Sequence, residues 1–123
     1  MSNEPQVFLV ENDDMVLDSM SMLLRTKGFA VCCHGSAEAF LQSDAQREVG
    51  CLALDARLPG LSGLELASEI TSAGSPLQII LISGYVDEEV TAASVRCGAT
   101  VLQKPIDADE LVRHVESCLD SVD

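Results

Sequence analysis

Short apolar runs alternate along this chain with stretches of helical periodicity, and this alternation restricts the possible folds more than any other feature. The runs are apolar at successive positions, as expected for strands that are buried on both faces. Strands of this kind occur in parallel sheets that helices cover on both sides. The predicted strands are 6–10, 29–33, 51–54, 77–83 and 99–103. Because a helical stretch follows each of them, we predict an α/β fold of five βα units, doubly wound around a five-stranded parallel sheet.

The helical stretches carry start and stop signals. Val16 and Met20 share one face of the first helix, which ends at Lys27 and Gly28, a cation followed by a glycine cap. Ser36 is the predicted N-cap of the second helix. The apolar stripe of the last helix consists of Leu111, Val112, Val115, Leu119 and Val122. These signals indicate helices that pack one face against the sheet.

Composition and charge indicate one soluble domain. A chain of 123 residues suits a single domain, 1–123, with its core at about residues 5–121. Its residues are 47% hydrophobic and 3% aromatic, which predicts an aliphatic core. The net charge of −13 repels nucleic acid and anionic membranes, so we expect this domain to bind neither. No stretch has the pattern of a membrane span or a secretory signal, which favours a cytoplasmic protein.

The five cysteines give no sign of a disulfide framework or a metal site. Their number is odd, and no pair has C-x-x-C spacing. Cys32, Cys33 and Cys51 lie in apolar runs, where free cysteines commonly act as small buried hydrophobic residues. We therefore predict reduced, structural cysteines.

Polar residues gather where the predicted strands end. In open α/β sheets, functional sites lie at the carboxyl ends of the strands, which meet at one edge. The residues that follow the first, third, fourth and fifth strands there are Glu11, Asn12, Asp13 and Asp14; Asp55, Ala56 and Arg57; Ser83, Gly84 and Tyr85; and Lys104 and Pro105. This edge therefore combines carboxylates, an amide, a hydroxyl and an ammonium group.

The charge of Asp55 needs an explanation, because this residue directly follows a buried strand. A carboxylate in such a place is costly unless another group pairs with it. Taken alone, a strand-end aspartate is often only a helix cap or a solvated loop residue. Glu11, Ser83 and Lys104 at the same edge favour a functional site instead.

Four motifs, in order and at regular spacing, resemble the receiver domain of bacterial two-component response regulators, the CheY-like family. They are "FLVEND", "ALDARLPGLSG", "ISG" and "QKP", and the resemblance extends over about residues 5–121. It implies a flavodoxin/CheY-like sheet with strand order 2-1-3-4-5. The stretches "GSAEAFL" and "RLPGLSGLEL" are most similar to FixJ-type regulators, in which a DNA-binding output domain usually follows the receiver.

The resemblance implies a role for each residue at the edge. Asp55 is the expected phosphoacceptor, whose carboxylate attacks a phosphoryl group to form an acyl phosphate. Phosphoryl transfer depends on positioning and charge neutralisation, so Mg²⁺ is the expected cofactor. The implied metal ligands are Glu11, Asn12, Asp55 and the backbone carbonyl of Arg57. The implied phosphate contacts are Lys104, the Ser83 hydroxyl and the Ala56 backbone amide.

The resemblance also implies the conformation of two loops around this edge. The family's bond between Lys104 and Pro105 is typically cis, and a cis X-Pro bond costs only about 0.5–1 kcal/mol. Pro59, Gly60 and Gly63 are expected to shape the loop around the metal, because glycine adopts backbone angles that other residues resist.

Two positions depart from the family pattern. Asn12 stands where a metal-binding aspartate is common, so metal binding should be weaker but not lost, and Asp13 is a candidate N-cap instead. Val101 falls at the switch position that usually holds Phe or Tyr, and Tyr85 is a partial substitute. Both departures bear on how the domain would signal.

Three functions compete at this point. The favoured one is a receiver that accepts a phosphoryl group from a sensor histidine kinase and then changes partner binding, as a monomer or as a homodimer through the fourth helix, fifth strand and fifth helix. It would control transcription through an output domain outside this chain. The alternative is a degenerate receiver that binds partners without phosphorylation. A phosphohydrolase ranks last, because "LDAR" lacks the second aspartate such enzymes use; beyond its own phosphorylation and slow dephosphorylation, we expect no enzyme activity.

Overall fold

A computed structural model describes residues 6–120 and contains one five-stranded parallel sheet with helices on both faces. The strands are β1 (Gln6–Val10), β2 (Val31–His34), β3 (Gly50–Asp55), β4 (Gln78–Ser83) and β5 (Thr100–Gln103). The helices are α1 (Asp14–Thr26), α2 (Ala37–Gln42), α3 (Gly63–Ser72), α4 (Glu88–Cys97) and α5 (Ala108–Asp120). The sheet order is β2-β1-β3-β4-β5, which confirms the predicted fold class and order.

The second strand begins later than predicted. Phe29 and Ala30 precede it, because the Phe29 N–H donates to the Leu24 carbonyl at 3.1 Å and thereby completes the C-terminal turn of α1. Strand pairing with β1 starts at Val31, opposite Val7. The pattern of apolar residues could not reveal this boundary, since it continues unbroken from turn to strand.

The predicted helix caps are present. The Ser36 hydroxyl accepts from the Ala39 N–H at the start of α2, and Asp13 caps α1. Gly98 ends α4 with a φ of 65°, a left-handed conformation that suits glycine. The predicted last helix extended to 122; Val122 lies outside the described residues.

Two apolar layers cover the two faces of the sheet. Phe40 and Leu66 belong to the layer beneath α2, α3 and α4, whereas Leu24 and Leu111 belong to the layer beneath α1 and α5. The predicted stripe of α5 is confirmed, with Leu111 and Val115 buried and Val112 and Leu119 packed against them. Aliphatic side chains dominate both layers, and they fix the positions of the strand ends.

The cysteine prediction was partly wrong. All five cysteines are free and Cys51 is fully buried, but Cys33 is exposed and Cys32 only half-buried. The reason is that β2 is an edge strand with one neighbour, so its side chains are not covered on both faces. A search of residues 6–120 finds no helix that is long and apolar enough to span a membrane.

Candidate functional site

The site lies at the carboxyl edge of the sheet, where Glu11 and Asp55 stand side by side. Asp55 is the last residue of β3, and Glu11 directly follows β1. The two strands are neighbours with Val10 opposite Leu54, so the register brings the next residues together. Only 4% of Glu11 and 8% of Asp55 are exposed. Two carboxylates are therefore held away from water within one small region.

Lys104 supplies the positive charge. Its Nζ lies 2.6 Å from Asp55 Oδ2 and 3.5 Å from Glu11 Oε1. Its backbone N–H donates to the Ser83 carbonyl at 2.8 Å, which anchors it at the end of β4, and its bond to Pro105 is cis, as the resemblance implied. Burial lowers the pKa of Lys104, but its hydrogen bond to Asp55 and the charges of Asp55 and Glu11 raise the pKa by more. The ammonium group is thus protonated at neutral pH.

The second oxygen of Asp55 is held by the backbone. The Arg57 N–H donates to Asp55 Oδ1 at 2.8 Å. The neighbouring Ala56 N–H, which we expected to contact a phosphate, donates instead to the Ile82 carbonyl at 2.8 Å. In this structure, therefore, the amide next to the carboxylate belongs to Arg57, and the role of Ala56 stays a prediction.

The charges of this cluster fit a divalent cation. Glu11 and Asp55 together carry two buried negative charges, and Lys104 neutralises only one of them. Buried charge that is left uncompensated is costly, and Mg²⁺ prefers oxygen ligands such as these. Within residues 6–120, no three His, Cys, Asp or Glu side chains form a metal-ligating group. A cation would therefore also need neutral oxygens, and the expected ones, Asn12 and the Arg57 carbonyl, belong to the loops that follow Glu11 and Asp55, where Asn12 is exposed.

Asp13 does not replace the missing acid at position 12. Its Oδ1 accepts from the N–H groups of Met15 and Val16 at 3.0 and 3.2 Å, which makes it the N-cap of α1. Its own N–H donates to Glu11 Oε2 at 3.1 Å and helps to hold that carboxylate. The candidate N-cap role of Asp13 is confirmed.

Ser83 lies in the site region, but its hydroxyl is engaged elsewhere. The side chain is buried, and its Oγ donates to the Tyr85 carbonyl at 2.7 Å and accepts from the Tyr85 N–H at 3.2 Å. The Tyr85 ring is 74% exposed. Val101 on β5 is half-buried, lies opposite Leu81 and packs against the core. The hydroxyl is thus bonded within its own loop, and no aromatic ring occupies position 101.

The side chain of Arg57 joins two loops. Its guanidinium forms an ion pair with Asp87 at 2.7 Å and a second one with Glu89 in α4. The hydrogen bond that Arg57 donates to Glu89 and the charges of both acids raise the pKa of Arg57. The acidic start of α4 is therefore paired with the loop after β3. The sequence shows the opposite charges, but it does not indicate that they meet, because 30 residues separate Arg57 from Asp87.

Two further features of the loop between β3 and α3 bear on the site. The Leu61 N–H donates to Glu38 Oε2 of α2 at 2.9 Å, a contact that no sequence motif indicated. Gly63 begins α3 so close to β3 that an added Cβ would lie 1.8 Å from the Asp55 carbonyl oxygen. The expectation that Gly63 shapes this loop therefore has a steric basis.

Comparison with known proteins agrees with the geometry. The family model described as the response regulator receiver domain matches residues 7–116. The transcriptional regulatory protein FixJ of Azorhizobium caulinodans is 35% identical over 92% of this chain and 54% of its own length. The response regulator protein TmoT of Ectopseudomonas mendocina is 34% identical over 94% of this chain and 53% of its own length. The chain thus spans about half the length of these curated relatives.

Solved structures agree as well. The response regulator StyR is 34% identical and superposes with a TM-score of 0.87, covering 95% of this chain and 60% of that protein. A structure titled FixJ-N is 29% identical, with a TM-score of 0.83 and coverage of 98% and 97%. Proteins of this family are signalling proteins rather than dedicated enzymes, and they use a divalent cation. The chain belongs to the response regulator receiver domain family of two-component systems.

Proposed function

We propose that this domain accepts a phosphoryl group on Asp55 from a sensor histidine kinase, in a Mg²⁺-dependent reaction, and thereby changes its partner binding. One observation carries the proposal: the buried Asp55 carboxylate is bonded to Lys104 at 2.6 Å and to the Arg57 N–H at 2.8 Å, beside a second buried carboxylate. These contacts hold the carboxylate in place, as a nucleophile toward phosphorus must be.

Each residue of the site has its own part in the phosphoryl transfer. An oxygen of Asp55 forms a new bond to phosphorus as the bond from phosphorus to the donor nitrogen breaks. Lys104 faces the negative charge that arrives with the phosphoryl group and neutralises part of it. A bound Mg²⁺, held by Glu11, Asn12, Asp55 and the Arg57 carbonyl, would supply the remaining positive charge.

Ser83 is the residue we expect to respond. Its hydroxyl would leave the Tyr85 carbonyl and donate to a phosphoryl oxygen, which releases the backbone of the loop after β4. That loop leads into α4, and Arg57 is paired to the start of the same helix. The phosphoryl group thereby biases an equilibrium between two arrangements of the α4 region. Tyr85 and Val95 are strongly exposed there, and this supports a partner surface or a homodimer through α4, β5 and α5.

An apolar groove of about 860 Å³ beside Lys104 supports a docking position for the kinase. Met15 is 81% exposed at this groove and extends its apolar lining, and a contiguous apolar patch of this kind favours a protein partner. The groove is lined by Met15, Val16, Ser19, Met20, Leu23, Lys104, Pro105, Ile106, Ala108 and Leu111. Its position between α1 and α5 leaves the phosphoacceptor edge within reach of a docked donor. The relative named as a transcriptional regulatory protein supports an output in transcription, and we infer that the domain acts in the cytoplasm.

The test is the intact mass after incubation with acetyl phosphate, with Mg²⁺ or with EDTA. We expect one phosphoryl adduct on the wild type with Mg²⁺, none with EDTA and none on Asp55→Asn. Asp14→Asn is the matched control, because it removes one exposed carboxylate near the same edge. An adduct that persists on Asp55→Asn would refute the assignment.

The degenerate receiver is the second candidate, and it has its own support. Asn12 reduces the charge of the metal site, and the Ser83 hydroxyl is bonded within its own loop. If no adduct forms on the wild type at any Mg²⁺ concentration, a phosphorylation-independent binding module becomes the better interpretation.

A further inference from the structure

The loop between β3 and α3 carries the Arg57 carbonyl, and its far half is held by a different helix. The Leu61 N–H donates to Glu38 Oε2 at 2.9 Å, across 23 residues of sequence. Within the part of the chain that the structure describes, this is the one hydrogen bond that ties residues 58–61 to another element. Glu38 therefore adds a polar restraint to a stretch whose Leu58 and Leu61 side chains also pack against the apolar layer beneath α2, α3 and α4.

Gly60 shows how closely the carboxylate approaches the loop. Its φ is +75°, and an added Cβ would lie 2.5 Å from the same Glu38 oxygen. Glycine thus meets two requirements here, the left-handed backbone and the close approach. The loop backbone and the Glu38 side chain fit each other without an intervening side chain.

The charge of Glu38 suits this contact. The hydrogen bond from the Leu61 N–H lowers the pKa of Glu38, so its carboxylate is ionised at neutral pH. An ionised acceptor makes a stronger hydrogen bond to a backbone N–H than a neutral one. Because Leu61 already occupies Oε2 and the residue is exposed, Glu38 is not a candidate metal ligand.

The two ends of the loop are anchored independently of Glu38. At the first end, the Ala56 N–H donates to the Ile82 carbonyl, and the Arg57 N–H donates to Asp55. At the second end, Ser62 and Glu65 form a capping box that starts α3. Removal of the Glu38 carboxylate should therefore loosen the middle of the loop without unfolding the domain.

We propose that Glu38 is a positioning residue for the cation site. By holding the backbone at Leu61, it limits the motion of the loop that carries the Arg57 carbonyl, a neutral oxygen that a divalent cation would need. A loop that is already ordered loses less conformational entropy when the cation binds, so the affinity is higher. The inference rests on the proposed function, because it assumes that Mg²⁺ binds at Asp55.

The test compares Mg²⁺ titrations of the unphosphorylated protein, in which the thermal unfolding midpoint is measured at each Mg²⁺ concentration. The Mg²⁺ midpoint is the concentration that gives half of the full rise in the thermal unfolding midpoint. We expect Glu38→Ala to raise the Mg²⁺ midpoint about threefold to tenfold, in line with the loss of one hydrogen bond. Glu38→Gln keeps an oxygen acceptor and should stay within about twofold of wild type. Glu88→Ala is the control, since it removes an exposed carboxylate from the first turn of α4. Amide exchange in EDTA should be faster at Leu61 in Glu38→Ala than in the control.

The outcomes separate the two hypotheses. If wild type responds to Mg²⁺ and Glu38→Ala matches Glu88→Ala in midpoint and in Leu61 exchange, the role of Glu38 is refuted and the proposed function stands. If wild type itself shows no response to Mg²⁺, the proposed function fails and this inference fails with it. Should Glu38→Ala not fold, Gly60→Ala tests the same contact, because its Cβ displaces the Glu38 oxygen, and an unchanged midpoint there would refute the inference.

Discussion

The two halves of the site differ in how completely they are assembled. In the charged half, Lys104 already contacts both Asp55 and Glu11. In the neutral half, the Ser83 hydroxyl bonds only to the backbone of Tyr85, and position 101 holds a valine and no aromatic ring. The charged half is preset, whereas the proposed function requires the neutral half to change.

Electrostatics explains this difference. Buried carboxylates are costly without a cation nearby, so the charged half has to be paired in the resting protein. A hydroxyl needs only one donor and one acceptor partner, and the next residues of the loop provide both. The neutral group can therefore wait for a phosphoryl oxygen, and this makes Ser83 suitable as the responding residue.

Gly63→Ala should disrupt the charged half most strongly. The new Cβ would lie 1.8 Å from the Asp55 carbonyl oxygen, so α3 or β3 must move. We expect a loss of about 3 kcal/mol or more in the free energy of unfolding. Urea unfolding followed by circular dichroism measures it. Gly74→Ala is the control, because its Cβ meets nothing within 4 Å and only its positive φ costs about 1 kcal/mol. Equal losses for the two variants would contradict the steric argument.

Lys104→Ala tests the charge balance of the cation site. Without the ammonium group, the formal charge beside the cation falls from −1 to −2, and Mg²⁺ should bind more tightly. A decrease of about tenfold in the Mg²⁺ midpoint is expected for charges at this distance near a protein surface. The thermal midpoint as a function of Mg²⁺ concentration reports it. Lys27→Ala removes an exposed lysine at the end of α1 as a control, and a midpoint that rises in Lys104→Ala would disprove the charge balance.

Ser83→Ala should leave the charged half unchanged. Its hydroxyl bonds only to the Tyr85 backbone, which water can also satisfy, so the free energy of unfolding should fall by less than about 1 kcal/mol. The Mg²⁺ midpoint should stay within about twofold of wild type. After treatment with acetyl phosphate, however, amide exchange around Tyr85 should no longer change, whereas it should change in wild type and in Ser83→Thr. A normal response in Ser83→Ala would show that the hydroxyl is not the trigger.

The smallest expected effect is the pH dependence of the Lys104 contribution. The pKa of Lys104 is raised in the folded protein, so the stabilisation is complete below the unfolded pKa and is lost as the pH rises through the folded value. The difference in unfolding free energy between wild type and Lys104→Ala should therefore be constant below the unfolded lysine pKa of about 10.4 and shrink as the pH rises above it. Measurements in EDTA keep metal binding out of the comparison. A difference that stays constant above that pKa would mean that the ion pair contributes little.

Much of the fold and the charged half of the site could be predicted from the sequence alone. Apolar runs have the period of buried strands, and parallel strands send their carboxyl ends to one edge, so Glu11, Asp55 and Lys104 were expected together before any coordinates. The contacts of Lys104 with Asp55 and Glu11 confirm that these three side chains meet.

Other features were decided by the tertiary structure. No pattern in the sequence indicated the contact between Glu38 and Leu61 or the pairing of Arg57 with Asp87. Nor did any pattern indicate that the Arg57 amide, and not the Ala56 amide, donates to the Asp55 carboxylate in this structure. The physical reason is that periodicity and residue type indicate which element forms and which face is buried. They do not specify the direction of a single side chain or amide, because that depends on loops from distant parts of the chain that meet only when the sheet has formed.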